Sequence, residues 1–461
     1  MRFKNPAQTV VLSLLSLVAL LAAGCSSMTG APSSAGASMG QAFVIGTDAP
    51  AANVVSFTAT LESVDAIDSN NNSVPLISGS PTVDFARYDG LQTLLDVDDV
   101  PAGTYSSISI TLGPSVTVGY LDTTVMPPSV KTTTLSVSTA PIDVALPHPL
   151  TLTKTASGGV RLDFDLNKSI QITDGQISGV NPAFNVGTVY PDDAGGHIDE
   201  FVAGVLGVDA TNEQFTIQGP HGRQFTVNVN GQTNWDDNSN LGELTTNTIV
   251  QISGKLDKAE STIDADEIAV LSQDKFFASG QITYVAPPAG EASSFDLYLR
   301  SLEPTNTGLT LGNTATVELN GAEKYYIYWM RNPMTEFLFN SSALVAGQDV
   351  SIGGPASGAA DPTNVTIKRV VLRQWGFEGT IVPGSLNAAQ GTFKMQVTGF
   401  AGVLIPTPIT VFIGNATDFR YGFTSASDMA ASTRIRVVGL LLKNAANGNV
   451  VLLARHVDDR D

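Results

Sequence analysis

From residue 41 onward, short apolar segments alternate with turn-forming residues at close spacing. Runs rich in Val, Ile, Thr and Phe, such as 54–67 and 106–113, are separated by Gly, Pro, Asn and Asp. This alternation is typical of β-strands joined by turns. Only two short segments, 86–95 and 423–431, are helical candidates. We therefore predict an all-β body.

Residues 41–190 contain three motifs that occur in a fixed order. They are FVIGTDAP at 43–50, VPAGTY at 100–105 and VRLDFDLNKSI at 160–170. Together they resemble the bacterial domain of unknown function 4382. The resemblance implies a prealbumin-like β-sandwich over about 150 residues.

Three aspartates fall within these motifs, at Asp48, Asp163 and Asp165. Oxygen ligands of this kind suit a cation site. The favoured interpretation is structural: Asp48 would cap a turn, and Asp163 and Asp165 would share one face of a strand.

The second half of the chain repeats three glycine landmarks. A Gly follows an aromatic start, a second Gly ends an alternating strand, and a third is preceded by apolar residues four and two places earlier. In order of landmark, the glycines are Gly204, Gly280 and Gly379; Gly231, Gly321 and Gly414; and Gly254, Gly354 and Gly439. This order predicts three tandem units, the first repeat at 197–274, the middle repeat at 275–374 and the third repeat at 375–461.

The repeats resemble the bacterial domain of unknown function 5666, which implies small β-barrel-like modules. In that family a Thr-x-aromatic often follows the second landmark, and residues 233–235 and 417–419 fit. The middle repeat departs, with Glu-Lys-Tyr at 323–325. Each module would close a sheet on itself and hide its edges. The predicted fold is thus an N-terminal β-sandwich followed by three tandem β-barrel-like units.

The N-terminus has the pattern of a cleaved export signal. Arg2 and Lys4 precede an apolar stretch, Val10 to Ala23. Fourteen helical residues span about 21 Å, which is short of a hydrocarbon core of about 30 Å. We therefore expect residues 1–24 to be a signal peptide rather than a permanent membrane span.

Small residues before Cys25 resemble the lipobox of bacterial lipoproteins. In that family a peptidase cuts before the cysteine, and its thiol then carries a lipid such as palmitate. Leu21 lies four places before Cys25, whereas the family usually has Leu three places before. The alternative is ordinary signal cleavage that leaves a free thiol. The resemblance implies that Cys25 anchors the protein to a membrane, and Ser26 in place of Asp favours the outer membrane.

Residues 25–40 are rich in Ser, Gly, Ala and Pro, and we expect a flexible tether there. The chain carries a formal charge of −19. Loss of residues 1–24 would remove two positive charges, Arg2 and Lys4, and leave −21. Such an acidic body argues against nucleic-acid binding.

Candidate chemistry is sparse along the chain. Cys25 is the sole cysteine, so no disulfide forms within the chain. The histidines are His148, His197, His221 and His456, and none pairs with another at a metal-ligand spacing. We expect each to be a surface histidine without a partner, and we expect neither an enzyme nor a bound cofactor.

Asp236 and Asp237 are candidate calcium ligands in the acidic loop 234–243. An EF-hand loop that began at Asp236 would need Gly at its sixth place and Glu at its twelfth. Leu241 and Asn247 occupy those places, so the pattern fails. A polar hairpin loop is the favoured interpretation, and an irregular calcium site is the alternative.

The middle repeat holds an aromatic segment with Tyr325, Tyr326, Tyr328 and Trp329. On a strand, Tyr325 and Trp329 would share one face, and Tyr326 and Tyr328 the other. Only one face meets a barrel core. The other is either covered by a neighbouring unit or exposed as a contact surface for a protein or a sugar.

These observations favour a non-catalytic, lipid-anchored cell-envelope protein that acts through protein contacts or structural support. We expect it on the outer membrane, facing the periplasm or the cell surface, with another envelope protein or a glycan as partner. The alternative is a surface lipoprotein that binds carbohydrate or another ligand.

Overall fold

Strands dominate the fold and confirm the all-β prediction. They make up 62% of the described residues, against 7% for helices. The alternation of apolar and polar residues in the sequence explains the high strand content, because every second side chain of a strand packs into a core. In the strand Gln214–Gln218, Phe215 and Ile217 are buried while Gln218 is exposed.

The structure is a computed structural model, and residues Met39–Asp461 form one compact unit in it. The described residues are 38–49, 54–88, 91–173, 176–191, 196–219, 222–235, 239–257, 261–271, 275–304, 307–327, 337–420, 422–430, 434–444 and 447–459. Over these residues, no helix is both long enough and apolar enough to cross a membrane.

The N-terminal part is a β-sandwich built from two main sheets. Its elements are β1 (Met39–Ala49), β2 (Val54–Asp68), β3 (Ser73–Pro75), β4 (Thr82–Asp84), β5 (Thr93–Pro101), β6 (Gly103–Asp122), β7 (Ser129–Ser136), β8 (Ile142–Leu152), β9 (Gly158–Asp165), α1 (Leu166–Ser169), β10 (Ile170–Thr173), β11 (Gln176–Val180) and β12 (Phe184–Val189). One sheet has the order β12-β9-β1-β5; the other has β3-β2-β6-β7, with β4 on β2 and β8 on β6. Phe57, Phe85, Phe164 and Phe184 form an aromatic cluster in the core between them.

The three repeats share one strand plan. The first repeat contains β13 (His197–Asp209), β14 (Gln214–Gln218), β15 (Gln224–Asn228), β16 (Asn234–Trp235), β17 (Ile249–Leu256) and β18 (Thr262–Val270). The middle repeat contains β19 (Phe276–Ala286), β20 (Ser294–Glu303), β21 (Thr314–Glu318), β22 (Lys324–Ile327), β23 (Asp349–Gly354), β24 (Val365–Thr366) and β25 (Arg369–Arg373). The third repeat contains β26 (Trp375–Ile381), β27 (Thr392–Val397), α2 (Gly399–Leu404), β28 (Ile409–Arg420), β29 (Arg434–Lys443) and β30 (Val450–Asp459).

Each repeat begins with three antiparallel strands. The third of these strands also pairs in parallel with a strand near the end of the repeat. The parallel pairs are β15 with β18, β21 with β24, and β28 with β30. The third repeat closes into a barrel with the order β26-β27-β28-β30-β29. Since parallel pairing needs a long connection, a further strand (β17, β23 or β29) lies between the two paired strands along the chain.

Several of the repeated glycines mark places where two strands approach closely. A Cβ on Gly280 would lie 1.7 Å from the Tyr298 carbonyl oxygen, and one on Gly439 would lie 2.1 Å from that of Leu453. The strand register shifts at Gly280 and at Gly439, as at a β-bulge. At these closely approached glycines, the repeated residue therefore reflects a steric requirement of the shared strand plan.

Several local predictions are wrong. Segment 86–95 is not a helix: a 3₁₀ turn spans Phe85–Tyr88, and β5 begins at Thr93. Segment 423–431 holds a 3₁₀ turn at Asp428–Ala430, and the longer helix is α2. Asp48 lies near the end of β1, and the following residues 50–53, where its predicted turn would lie, are outside the described residues. The 3₁₀ turn at 85 forms because Phe85 and Ala86 are buried in the sandwich core, which short-range periodicity does not show.

Candidate functional site

Several predicted site residues lie outside the described residues. They are Cys25, Asp236, Asp237, Tyr328 and Trp329. The same holds for the predicted signal peptide and for the tether up to residue 37. The end of the predicted tether is already structured, since β1 begins at Met39.

Tyr325 occupies the place of the aromatic in the Thr-x-aromatic motif. It pairs with Val370 across a parallel ladder, as Trp235 pairs with Ile268 in the first repeat. Its ring packs against the core of the middle repeat, 5.7 Å from the Phe339 ring. Burial raises the pKa of Tyr325, and its hydroxyl has no hydrogen-bond partner among the described residues. This side chain fills a core.

Tyr326 points to the opposite side of the same strand. It packs against a small apolar cluster made by Ala269 and Leu271 of the first repeat and by Phe277 and Val371 of the middle repeat. The structure thus places Tyr325 and Tyr326 apart, one inside a module and one at the contact between two modules. The second face of the strand could be covered by a neighbouring unit or exposed as a contact surface, and the position of Tyr326 favours coverage by a neighbouring unit.

The threonines of the repeat motif hold two segments together. Thr233 Oγ1 accepts a hydrogen bond from the Asn230 amide at 2.9 Å and donates one to the Ala265 carbonyl at 2.8 Å. Thr417 makes the equivalent pair of bonds in the third repeat. Each hydroxyl therefore caps a turn and fixes it to the last strand of its module.

Glu323 takes over the capping part of this role in the middle repeat. Its Oε1 accepts from the Asn320 amide at 2.7 Å, and its Oε2 accepts from the Gly321 amide at 3.0 Å. The departure from the family pattern thus keeps an acceptor three residues after the turn amide that it caps. It exchanges the donor function of the hydroxyl for a second acceptor.

Buried polar side chains meet where the modules contact each other. We call this set the polar junction: His197, Asp199, Glu200, Glu267, Arg373, Arg455 and His456. His197, Asp199, Glu267, Arg373 and His456 are each less than a tenth exposed. They come from all three repeats, and sequence reasoning missed them because the residues that meet lie far apart in the chain.

His197 and Asp199 connect the first repeat to the β-sandwich. His197 Nε2 lies 3.1 Å from Asp199 Oδ1, and Asp199 Oδ2 accepts a hydrogen bond from the Gln92 amide at 3.0 Å. Burial opposes ionisation of Asp199, but His197 and the Gln92 amide outweigh it and hold its pKa at about 2. His197 is therefore buried and paired, and the prediction of an unpartnered surface histidine is wrong for it.

His456 lies against His197, with ring centroids 6.1 Å apart. Burial lowers the pKa of His456 to about 3, although Asp418 lies 3.7 Å from its Nδ1 and favours the charged form. Arg420 Nη2 is 3.4 Å from His456 Nε2. Because a guanidinium only donates, that nitrogen must accept, which requires the neutral ring. The surface prediction is wrong for His456 as well.

The other two histidines, His148 and His221, are not part of the polar junction. His148 is exposed, as expected, and it lies in strand β8. His221 lies outside the described residues.

Two ion pairs cross between repeats in the polar junction. Arg373 of the middle repeat donates to Glu200 of the first, with Nη2–Oε1 2.6 Å. Arg455 of the third repeat lies 2.9 Å from Glu267 of the first, measured from Nη1 to Oε1. A buried charge without its partner is strongly unfavourable, so these pairs hold the three repeats in one arrangement.

No group of three His, Cys, Asp or Glu side chains in the described part of the chain is placed to bind a metal ion. The sandwich aspartates make contacts within the fold. Asp165 caps α1 by accepting a hydrogen bond from the Lys168 amide at 3.0 Å, and it also forms an ion pair with the Lys168 ammonium. Asp163 is buried in β9.

Comparison with known families agrees with this arrangement of modules. Residues 40–180 match Domain of unknown function (DUF4382). Residues 205–269, within the first repeat, match Domain of unknown function (DUF5666). Both family resemblances expected from the sequence motifs are thereby confirmed. Comparison with curated proteins gave no match.

Proposed function

We propose that the protein is a non-catalytic, lipid-anchored component of the bacterial cell envelope that acts through protein contacts or structural support. The observation that carries the proposal is the polar junction. Its ion pairs join the repeats across module boundaries, and Asp199 joins them to the sandwich. A chain of modules fixed in this way suits a rigid body that presents surfaces to partners.

The state of the titratable groups supports a non-catalytic role. A general acid or base must come within hydrogen-bond reach of its substrate. His197 and His456 are 1% and 6% exposed, and both contact other side chains of the junction. Their burial favours a structural use of these histidines.

The anchor part of the proposal rests on the N-terminal sequence. A positive start, a short apolar run and small residues before Cys25 favour cleavage and lipidation there. More than one acyl chain would give durable attachment. We place the anchored body on the outer membrane, by resemblance to lipoproteins without Asp after the cysteine.

The test compares the wild-type chain with Cys25→Ser in a bacterium that has two membranes. Cells are grown with alkynyl palmitate, the membranes are separated, and the protein is probed for label in each fraction. We expect labelled wild-type protein in the outer membrane, and an unlabelled Cys25→Ser protein that is lost from it. Wild-type protein without label, or label that persists in Cys25→Ser, would contradict the anchor.

Ligand binding through aromatic side chains is the second candidate function. Because Tyr325 and Tyr326 pack within the body, such binding would depend on Tyr328 and Trp329. A glycan array with the wild-type chain and with Tyr328→Ala and Trp329→Ala variants tests it. Sugar binding that both substitutions abolish would favour this function over the structural one.

A further inference from the structure

A cavity of about 450 Å³ lies between the β-sandwich and the middle repeat. The sandwich contributes Ser56, Asp84, Arg87 and Tyr88 to its wall, and the middle repeat contributes Arg300 and Leu311. Leu311 is 48% exposed, so this side of the wall faces solvent. The volume falls in the range of small-molecule pockets, about 300–1,000 Å³.

Arg300 is fixed rigidly in this wall. It is 8% exposed, and its guanidinium carbon lies 4.4 Å above the Trp375 ring. Nη1 donates to the Ala86 carbonyl at 2.9 Å, and Nη2 donates to Gln281 Oε1 at 3.3 Å. Its Nε is buried with no acceptor among the described residues. Arg300 is therefore a nine-tenths buried cation in the cavity wall, and one of its donors is satisfied by no described residue.

Arg87 places a second guanidinium at the same cavity. It is half-buried and lies over the Tyr88 ring, 5.7 Å from its centroid. Among the described residues, neither Arg87 nor Arg300 has a carboxylate within ion-pair distance, whereas Arg373, Arg436 and Arg455 each have one. Arg87 and Arg300 thus place two guanidinium groups at one cavity of a chain whose net charge is −19.

Asp84 is the acidic side chain of the cavity wall. Asp84 Oδ1 accepts a hydrogen bond from the Phe57 amide at 2.7 Å, which holds it against the sandwich. Burial raises the pKa of Asp84, although Arg300 and Arg87 oppose that effect. The cavity wall therefore carries two guanidinium groups against one carboxyl group, with hydroxyl and apolar groups beside them.

We propose that this cavity binds a small organic anion whose carboxylate or phosphate is held by Arg87 and Arg300. Guanidinium groups favour both oxyanions because their planar forks donate paired hydrogen bonds. Ser56 and the Tyr88 ring would contact the uncharged body of the ligand, about the size of one sugar ring. This binding is independent of the lipid anchor and of the structural role proposed above.

The test is isothermal titration calorimetry of the full-length chain in detergent with three probes: glucuronate, glucose 6-phosphate and uncharged glucose. We expect one or both anions to bind and glucose not to bind; the stronger anion identifies the preferred oxyanion. Arg87→Gln should weaken anion binding at least about tenfold, the loss expected for one charge-assisted hydrogen bond. Arg223→Gln, which removes a cation outside the cavity, is the matched control and should leave binding unchanged.

A second pair of variants tests the sign of the charge at the rim without touching either arginine. Leu311→Glu should weaken anion binding, and Leu311→Lys should strengthen it or leave it unchanged. Circular dichroism confirms that each variant is folded. The proposal is overturned if neither anion binds the folded wild-type chain, if glucose binds as tightly as the anions, or if Arg87→Gln binds like wild type.

Discussion

Arg373 of the middle repeat donates two hydrogen bonds to a single oxygen of Glu200 in the first repeat, from Nε at 3.0 Å and from Nη2 at 2.6 Å. The two side chains are 1% and 10% exposed. Asp349 lies 3.7 Å from the same guanidinium. Burial, and next the charge of Glu200, raise the pKa of Asp349 well above its usual value, although Arg373 opposes them. One buried cation is thus shared by two carboxylates, and Asp349 is the one disposed to be neutral.

This sharing predicts that substitutions of Glu200 and Asp349 are not additive. Asp349→Asn should cost less than about 1 kcal/mol, because the amide resembles the neutral acid. Glu200→Gln removes the repulsion, so Asp349 ionises and compensates in part. The double variant leaves Arg373 without either anion and should lose about 3–5 kcal/mol. Urea unfolding of the four proteins provides the comparison, and additive free energies would contradict the shared pairing.

The buried histidine predicts a specific dependence of stability on pH. The pKa of His456 is about 3 when folded, because burial outweighs Asp418, while Arg420, Arg455 and His197 also oppose its charge. Its ordinary value is about 6.5. Between these values the unfolded chain binds a proton that the folded chain does not. The His456 contribution is therefore complete above about pH 6.5 and is lost as the pH falls towards 3.

Replacing this ring should flatten the pH profile. We expect His456→Gln to reduce the slope of unfolding free energy between about pH 4.5 and 6.5, by up to about 1.4 kcal/mol per pH unit. His148→Gln is the control, since His148 is exposed. Urea unfolding at several pH values measures the slope. Equal slopes for wild type and His456→Gln would show that the ring takes up its proton in the folded state.

The glycine landmarks offer a matched pair of substitutions. Gly280 and Gly204 occupy the same landmark, but an added Cβ would meet the Tyr298 carbonyl oxygen at 1.7 Å in one and only Ile249 Cδ1 at 3.9 Å in the other. Gly280→Ala should cost about 1–3 kcal/mol, since a backbone atom must move. Gly204→Ala should change stability by less than about 0.5 kcal/mol. Similar losses in thermal unfolding would refute the steric explanation.

The sequence predicted local structure better than it predicted contacts between residues that lie far apart in the chain. Alternating apolar residues indicated the strands, and the repeated glycines indicated the tandem order, since both depend on neighbours in the chain. His197 and His456 were misjudged because their burial arises where the first and third repeats touch. Arg87 and Arg300 were not recognised as a pair for the same reason: one lies in the sandwich and the other in the middle repeat.

The capping role of Glu323 predicts that the middle repeat tolerates threonine, the usual residue of the Thr-x-aromatic motif, at position 323. In Glu323→Thr, the hydroxyl would accept from the Asn320 amide, as Thr233 accepts from Asn230. It would also regain a donor for the carbonyl of Ile367, which corresponds in register to Ala265. We therefore expect Glu323→Thr to lie within about 1 kcal/mol of wild type.

Glu323→Ala, by contrast, removes the acceptor for the Asn320 and Gly321 amides and should cost about 1–2 kcal/mol. Thr233→Ala in the first repeat is the parallel control and should cost a similar amount, because it also leaves a turn amide without its acceptor. Chemical unfolding of the three variants measures these changes in the free energy of unfolding. If Glu323→Thr loses as much as Glu323→Ala, capping by Glu323 is not equivalent to capping by threonine, and the middle turn requires the carboxylate itself.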